Sequence, residues 1–343
     1  MKLAVVLFNL GAPDRPQSVR PFLRNMFSDP AILSVPAVVR FFLARLISGL
    51  RAGKTTGIYE KLGGGSPLLA NTRLQAAALE KALGLETRVF IAMRYWHPMS
   101  AETADAVKEF DPDEVVLLPL YPQFSGTTSG SSFKAWARTT AKIGFVKPSY
   151  AVCCYPRLEG WLAAQVELVA EAMRDIAFAG KPRVLFSAHG LPEKVIKGGD
   201  PYQWQIERTS EGIANRLGLA AGDWVVCYQS RVGPLKWIGP STEEEIRRAA
   251  QDRVPIVVAP IAFVSEHSET LVELDEEYRH LAKVVGVPAF ARVPAVAAHE
   301  KFIAGLTSLV RDTLKGATPI GSSEGVRICP ADKSVCPLAQ AVS

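Results

Sequence analysis

Two stretches carry side chains that could move protons or hold a metal ion. The first is Ser187-Ala188-His189-Gly190-Leu191-Pro192, which follows the apolar run 183–186. An imidazole at the carboxyl end of a buried parallel strand faces the crevice where open α/β sheets bind ligands. In its neutral form it accepts a proton or coordinates a metal. A turn histidine bonded to backbone fits this segment equally well. The second stretch runs from Phe263 through Ser265, Glu266, His267, Glu269 and Glu273 to Glu276 and Glu277. Read as a helix capped by Ser265, it places Glu266, Glu269 and Glu273, three and four residues apart, on one face. Stacked like charges repel by about 0.2–0.5 kcal/mol per pair, so on spacing alone a solvated face is the simpler account. In a cleft, the same carboxylates and imidazole would pass protons or divalent ions.

Three loops add polar and aromatic groups. Residues 59–68 begin at Tyr59 and contain Gly63-Gly64-Gly65, which permits close backbone approach to something flat or large. Residues 119–132, including Tyr121, lead into a hydroxyl-rich helix start of the kind that binds anions. Residues 229–240 form a Gly/Pro loop that presents Trp237. Turns are commonly rich in such residues, so each loop alone is weak. Residues 49–55 imitate a nucleotide P-loop but are one residue short between the glycines and follow a helix rather than a strand.

The elements that must position these groups alternate. Near-continuous apolar runs at 3–8, 88–92, 114–118, 183–186, 224–227 and 255–259 read as buried strands. Amphipathic stretches at 71–83, 101–110, 158–178, 201–217, 242–250 and 266–284 read as helices. Alternation of this kind predicts parallel βαβ units. A weak internal echo, 6–13 with 185–192 and 115–122 with 256–264, suggests two similar halves, although chance likeness of strand–turn units would give the same. The expected division is a first domain 1–155, a second 156–297, and a helix and loosely ordered tail 298–343 returning to the first.

With 48% hydrophobic and 21% charged residues, the 343-residue chain has the composition of a folded globular enzyme. A net charge of +5 without any long Lys/Arg run gives no footing for nucleic-acid binding. The first apolar run is short and turns at Gly11-Ala12-Pro13, which reads as a strand rather than a signal peptide, and no apolar run is long enough to span a bilayer. The expected location is the cytoplasm. Five cysteines argue against a disulfide framework there.

Taken in order, LFNLGAP, FLRNMFSDP, GGGSPL, MRYWHP, LPLYPQFSGTTSGSS, FSAHGLPE, GDPY, CYQSRVGPLKWIGPST and PIAFVSEHSETLVELDEEY resemble the ferrochelatase family across residues 7–278. The resemblance implies two Rossmann-like α/β domains with four-stranded parallel sheets and a porphyrin cleft between them. It implies ferrous iron as substrate, protoporphyrin IX as its acceptor, and protohaem as product with release of two protons. His189 would take a pyrrole proton and bind iron, and Glu269 would be the second metal-site residue. Glu266, His267 and Glu273 would line an acidic path. Leu33, Tyr59, Arg94, Tyr121, Trp237 and Phe263 would contact the porphyrin. Leu33 stands where animal members often have methionine, and Glu266 where many have aspartate. Coproporphyrin, or another tetrapyrrole with another metal, is the alternative within the class, and a non-catalytic porphyrin carrier the alternative outside it.

The apolar segment 31–50, broken by Arg40 and Arg45 with Arg20, Arg24, Arg51 and Lys54 nearby, reads on its residues as a partly buried helix with snorkelling arginines. The resemblance instead implies a lip resting on the inner face of the cytoplasmic membrane. Some family members hold a 2Fe–2S cluster on four cysteines. Here Leu338 and Gly126 occupy two such ligand positions, leaving only Cys153, Cys154, Cys329 and Cys336, so the pattern weighs against a cluster.

Overall fold

The computed structural model describes residues 1–231, 235–316 and 318–342, without the side chains of 340–342. Two compact units emerge: Met1–Cys154 with Thr307–Gly325, and Tyr155–Leu306 with Val326–Ser343. The first 154 residues give β1 (Leu3–Asn9), α1 (Val19–Phe27), α2 (Ala37–Lys61), α3 (Leu68–Leu83), β2 (Thr87–Met93), α4 (Ser100–Phe110), β3 (Glu114–Pro119), α5 (Ser129–Lys142) and β4 (Ser149–Cys154). There follow α6 (Glu159–Asp175), β5 (Arg183–His189), α7 (Glu193–Lys197), α8 (Tyr202–Arg216), β6 (Trp224–Gln229), α9 (Thr242–Asp252), β7 (Ile256–Pro260), a π-helix (Glu269–Glu277), α10 (Tyr278–Val285), β8 (Phe290–Arg292), α11 (Glu300–Lys315) and β9 (Ile320–Ser322).

Both sheets are wholly parallel and share one topology. The first runs β2-β1-β3-β4-β9 and the second β6-β5-β7-β8. In each unit the first strand lies between the second and third, so the echo read in the sequence falls on equivalent strands, β1 with β5 and β3 with β7. Parallel strands need cover on both faces, and all seven residues of β1 are buried. In the first unit Val6, Phe8, Phe90, Val115 and Leu117 meet Val107 of α4 and Trp136 of α5. In the second, Leu185, Cys227, Ile256 and Val258 meet Ile246 of α9 and Tyr278 and Ala282 of α10. Ser241 caps α9: its hydroxyl accepts from Glu244 N while the Glu244 carboxylate accepts from Ser241 N.

Two expectations change. The first sheet has five strands, not four, because the tail is not loose: Ala151 N donates to Pro319 O at 2.8 Å and Ser323 N to Cys154 O at 2.9 Å, adding β9 beside β4. Nor does the whole tail join the first unit. Val335 N donates to Gly199 O at 3.1 Å and Gln205 Nε2 to Cys329 Sγ at 3.1 Å, tying the last stretch to the second. The P-loop look-alike lies inside α2. At Gly65 the close approach is to the chain itself, since a Cβ there would sit 2.4 Å from Asp14 O. Among the described residues, no helix is long and apolar enough to cross a membrane.

Candidate functional site

His189 ends β5, and the chain leaving β7 leads to Glu269. These strands are neighbours, and β6 lies on the other side of β5. The strand order therefore reverses here, which is where open α/β sheets gather ligands. His189 Nδ1 and Glu269 Oε2 are 2.9 Å apart, with 37% and 26% of their side-chain surfaces exposed, so the pair is sheltered yet reachable. Tyr202 Oη donates to His189 O at 3.0 Å and fixes the strand end.

Glu269 begins the π-helix and Glu273 lies four residues on; this rare i→i+5 form is frequent at functional sites. Ser230 stands between them at φ +59, a left-handed backbone rarely adopted by non-glycine residues. Its N donates to Glu273 Oε1 at 2.8 Å, and its hydroxyl reaches Glu273 Oε2 at 2.5 Å and Glu269 Oε2 at 3.2 Å. Tyr278 Oη donates to Glu273 Oε1 at 3.0 Å. His267 is buried, with its ring 4.5 Å from that of Phe263.

These surroundings set the charges. Burial opposes a proton on His189, but the Glu269 carboxylate outweighs it by field and hydrogen bond, with help from Glu273, and raises the imidazole pKa. Burial alone would raise the Glu269 pKa; His189, His267 and the Ser230 bond instead hold it low. Burial and the neighbouring Glu269 charge raise that of Glu273, against its Ser230 bonds. Burial lowers the pKa of His267. An imidazole whose proton affinity is raised by an adjacent carboxylate, with a second carboxylate and a second imidazole close by, can exchange protons.

Glu266 is not part of this face. It precedes the helix, which Ser265 does not cap, and it accepts from Arg292 at 2.8 Å and Ala295 N at 2.9 Å. Trp237 is half-buried rather than presented outward. It pairs with Pro192 as an antiparallel bridge, and a Cβ on Gly190 would lie 3.3 Å from its ring. Residues 232–234 of that loop lie outside the described residues.

The remaining candidates are in the first unit. Arg94 donates to Asp29 at 2.6 Å and to Ser131 Oγ at 2.7 Å; Tyr95 Oη reaches the same Asp29 at 2.9 Å, and Ser131 hydrogen-bonds it as well. The hydroxyl-rich start of α5 thus serves an internal ion pair. Tyr121 is half-buried, and enclosure of its hydroxyl raises its pKa. Tyr59 is buried in the core between α1 and α2, and Leu33 packs against that core. Asp29, Ser131, Tyr202, Ser230 and Tyr278 were not singled out from the sequence.

The thiols form two pairs. Cys153 and Cys154 Sγ are 3.4 Å apart in the first unit, and in the second Cys329 hydrogen-bonds Cys336 and lowers its pKa. Cys227 lies in the sheet core.

The sequence model of the ferrochelatase family matches residues 2–314. The chain belongs to the ferrochelatase family. A ferrochelatase of Caulobacter vibrioides is 53% identical over 348 residues, spanning 100% of this chain and 99% of that one. A ferrochelatase of Hyphomonas neptunium is 51% identical, spanning 99% and 95%. One of Pelagibacter ubique is 47% identical, spanning 90% and 91%. Ferrochelatases are enzymes that insert iron into a porphyrin in haem synthesis, so a carrier without turnover is set aside. The fold has solved counterparts. The sirohydrochlorin chelatase SirB from Bacillus subtilis subspecies spizizenii, in complex with cobalt, aligns with a TM-score of 0.52 at 15% identity, covering 92% of this chain and 96% of that one. SirB from Bacillus subtilis with Fe3+ gives 0.51 at 15%, covering 91% and 96%.

Proposed function

We propose that this ferrochelatase inserts Fe²⁺ into protoporphyrin IX, with His189 and Glu269 as the catalytic and metal-binding pair. The observation that carries this reading is the 2.9 Å contact between His189 Nδ1 and Glu269 Oε2, with Glu273 beside it through Ser230. Insertion converts a porphyrin with two N–H groups and one Fe²⁺ into the metalloporphyrin and two protons. His189 accepts a pyrrole proton as that N–H bond breaks and its nitrogen takes the metal. Before iron arrives, Glu269 strengthens the hold of His189 on a proton. An approaching dication offsets the Glu269 charge, any proton on His189 passes to solvent, and the neutral imidazole then accepts the pyrrole proton. Glu273 and His267 extend the acceptor path, while Glu266, held by Arg292, stands apart from it.

Trp237 and Phe263, in the same unit as His189 and Glu269, contact the macrocycle in this proposal, whereas Tyr59 is enclosed in the core between α1 and α2. An apolar porphyrin also suits delivery from a bilayer. Phe41, Phe42, Leu46 and Leu50 of α2 are all more than half exposed, and we assign them to peripheral contact with the cytoplasmic membrane. An insertion assay comparing protoporphyrin with coproporphyrin tests the substrate. Higher kcat/KM with protoporphyrin is expected; the reverse order would make coproporphyrin the substrate.

A further inference from the structure

The outer surface of α1 and α2 holds an open hollow of about 340 Å³ lined by Arg20, Pro21 and Arg24 of the first helix and Arg45 and Ser48 of the second. The three arginines are exposed. Arg20 lies along α2, where a Cβ on Gly49 would be 3.8 Å from its guanidinium. Arg45 stacks 3.3 Å over the Phe41 ring and donates to Phe41 O at 3.1 Å. Arg94, in the same unit, is paired with Asp29. Among the described residues, none of these three has a carboxylate partner.

Arg45 and Ser48 of the hollow share α2 with an apolar stripe, Arg45 being adjacent in sequence to Leu46. Val38, Phe42, Leu46 and Leu50 recur every four residues and are 71%, 64%, 58% and 76% exposed. Side chains this apolar and this open call for an apolar phase, and three guanidiniums without a carboxylate partner call for an anion. Guanidinium groups bind phosphate oxygens in a bidentate fork. A ligand with acyl chains and a phosphate a few ångströms away satisfies both. We propose that the Arg20–Arg24–Arg45 hollow receives the phosphate of an anionic phospholipid headgroup while the stripe rests among the acyl chains. This site rests on the membrane reading above and adds to it a discrete lipid-binding position that orients the first unit on the bilayer.

Flotation of the full chain with vesicles of phosphatidylcholine alone, or mixed with phosphatidylglycerol, tests it. The unaltered chain is expected to float with the mixed vesicles. Arg20→Gln with Arg24→Gln should weaken partitioning by about thirtyfold. Arg51→Gln with Lys54→Gln removes the same charge from exposed positions outside the hollow and should weaken it by less than threefold. All four residues are exposed, and unchanged melting temperatures confirm folding. Equal losses from the two double variants would overturn the hollow and leave a diffuse membrane attraction. Failure of the unaltered chain to float would overturn the membrane reading and the site with it. Stabilisation by inorganic phosphate that needs Arg20 and Arg24, without vesicle binding, would make the ligand a free phosphate and overturn the lipid assignment.

Discussion

Ser230 and Glu273 hold each other twice, through the serine N at 2.8 Å and its hydroxyl at 2.5 Å, while the same hydroxyl touches Glu269 at 3.2 Å. One side chain therefore sets the spacing of two carboxylates that would otherwise repel. Ser230→Ala keeps the backbone bond and loses both hydroxyl contacts. The expected outcome is a loss of about 1–2 kcal/mol in transition-state stabilisation, or roughly tenfold in kcat, with little change in porphyrin KM. Steady-state insertion kinetics check this; an unchanged kcat would show that the spacing of the two carboxylates does not matter.

The pH profile follows from the pair. Glu269 raises the His189 pKa above its ordinary value, and a base must be unprotonated to act. Insertion should rise with pH, its acid limb centred above about 6.5. In Glu269→Gln the carboxylate is gone while burial remains, so the acid limb should move to lower pH as the rate falls. An acid limb at the same pH in both proteins would mean that another group titrates.

Asp29 makes a separate claim about stability. Burial opposes its charge, but Ser131, the Ala31 N–H and Arg94 outweigh that and hold its pKa below the ordinary carboxylate value. Such a group contributes its full stability above the unfolded pKa of about 3.9 and loses it as pH falls through the lower folded value. Asp29→Asn should cost about 3 kcal/mol at neutral pH by leaving Arg94 unpaired, and the gap to the parent should narrow below about pH 4. Denaturant melts at several pH values decide; a gap that widens in acid would contradict the ion pair.

Gly190 is a packing prediction. A Cβ there would lie 2.9 Å from Gln229 O and 3.3 Å from the Trp237 ring, and the first of these is backbone that yields poorly. Gly190→Ala should lower stability by about 1–3 kcal/mol and reduce activity by displacing Trp237 and the end of β5. A thermal melt and an activity assay at low temperature separate the two effects.

Much of this was legible in the residues, for identifiable reasons. The six strands read from the sequence carry successive Val, Ile, Leu or Phe residues, as in Val5-Val6-Leu7-Phe8 and Ile256-Val257-Val258. β4, β8 and β9 left no such run: β4 reads Ser-Tyr-Ala-Val-Cys-Cys with a single β-branched residue, and β8 and β9 are three-residue edge strands that are half-exposed over most of their length. His189 and Glu269 could be named because ordered motifs surround them, although neither segment alone excluded a bland role. Glu266 falls on their face only under α-helical spacing from residue 266, whereas the helix begins later and is π-wound. Ser230 left no signal, since a serine in a Gly/Pro loop is ordinary and its left-handed backbone is not written in its type. Asp29 lies far from Arg94 in the chain, and no local pattern announces such a pair.

The central claim is that the imidazole of His189, charged and discharged by Glu269, is the base for metal insertion. Its most direct test measures porphyrin binding and iron insertion together in His189→Ala, by porphyrin fluorescence and metalloporphyrin absorbance. The expected result is porphyrin bound with near-parental affinity and insertion reduced by a hundredfold or more. Insertion at close to the parental rate in a variant that still binds porphyrin would contradict it.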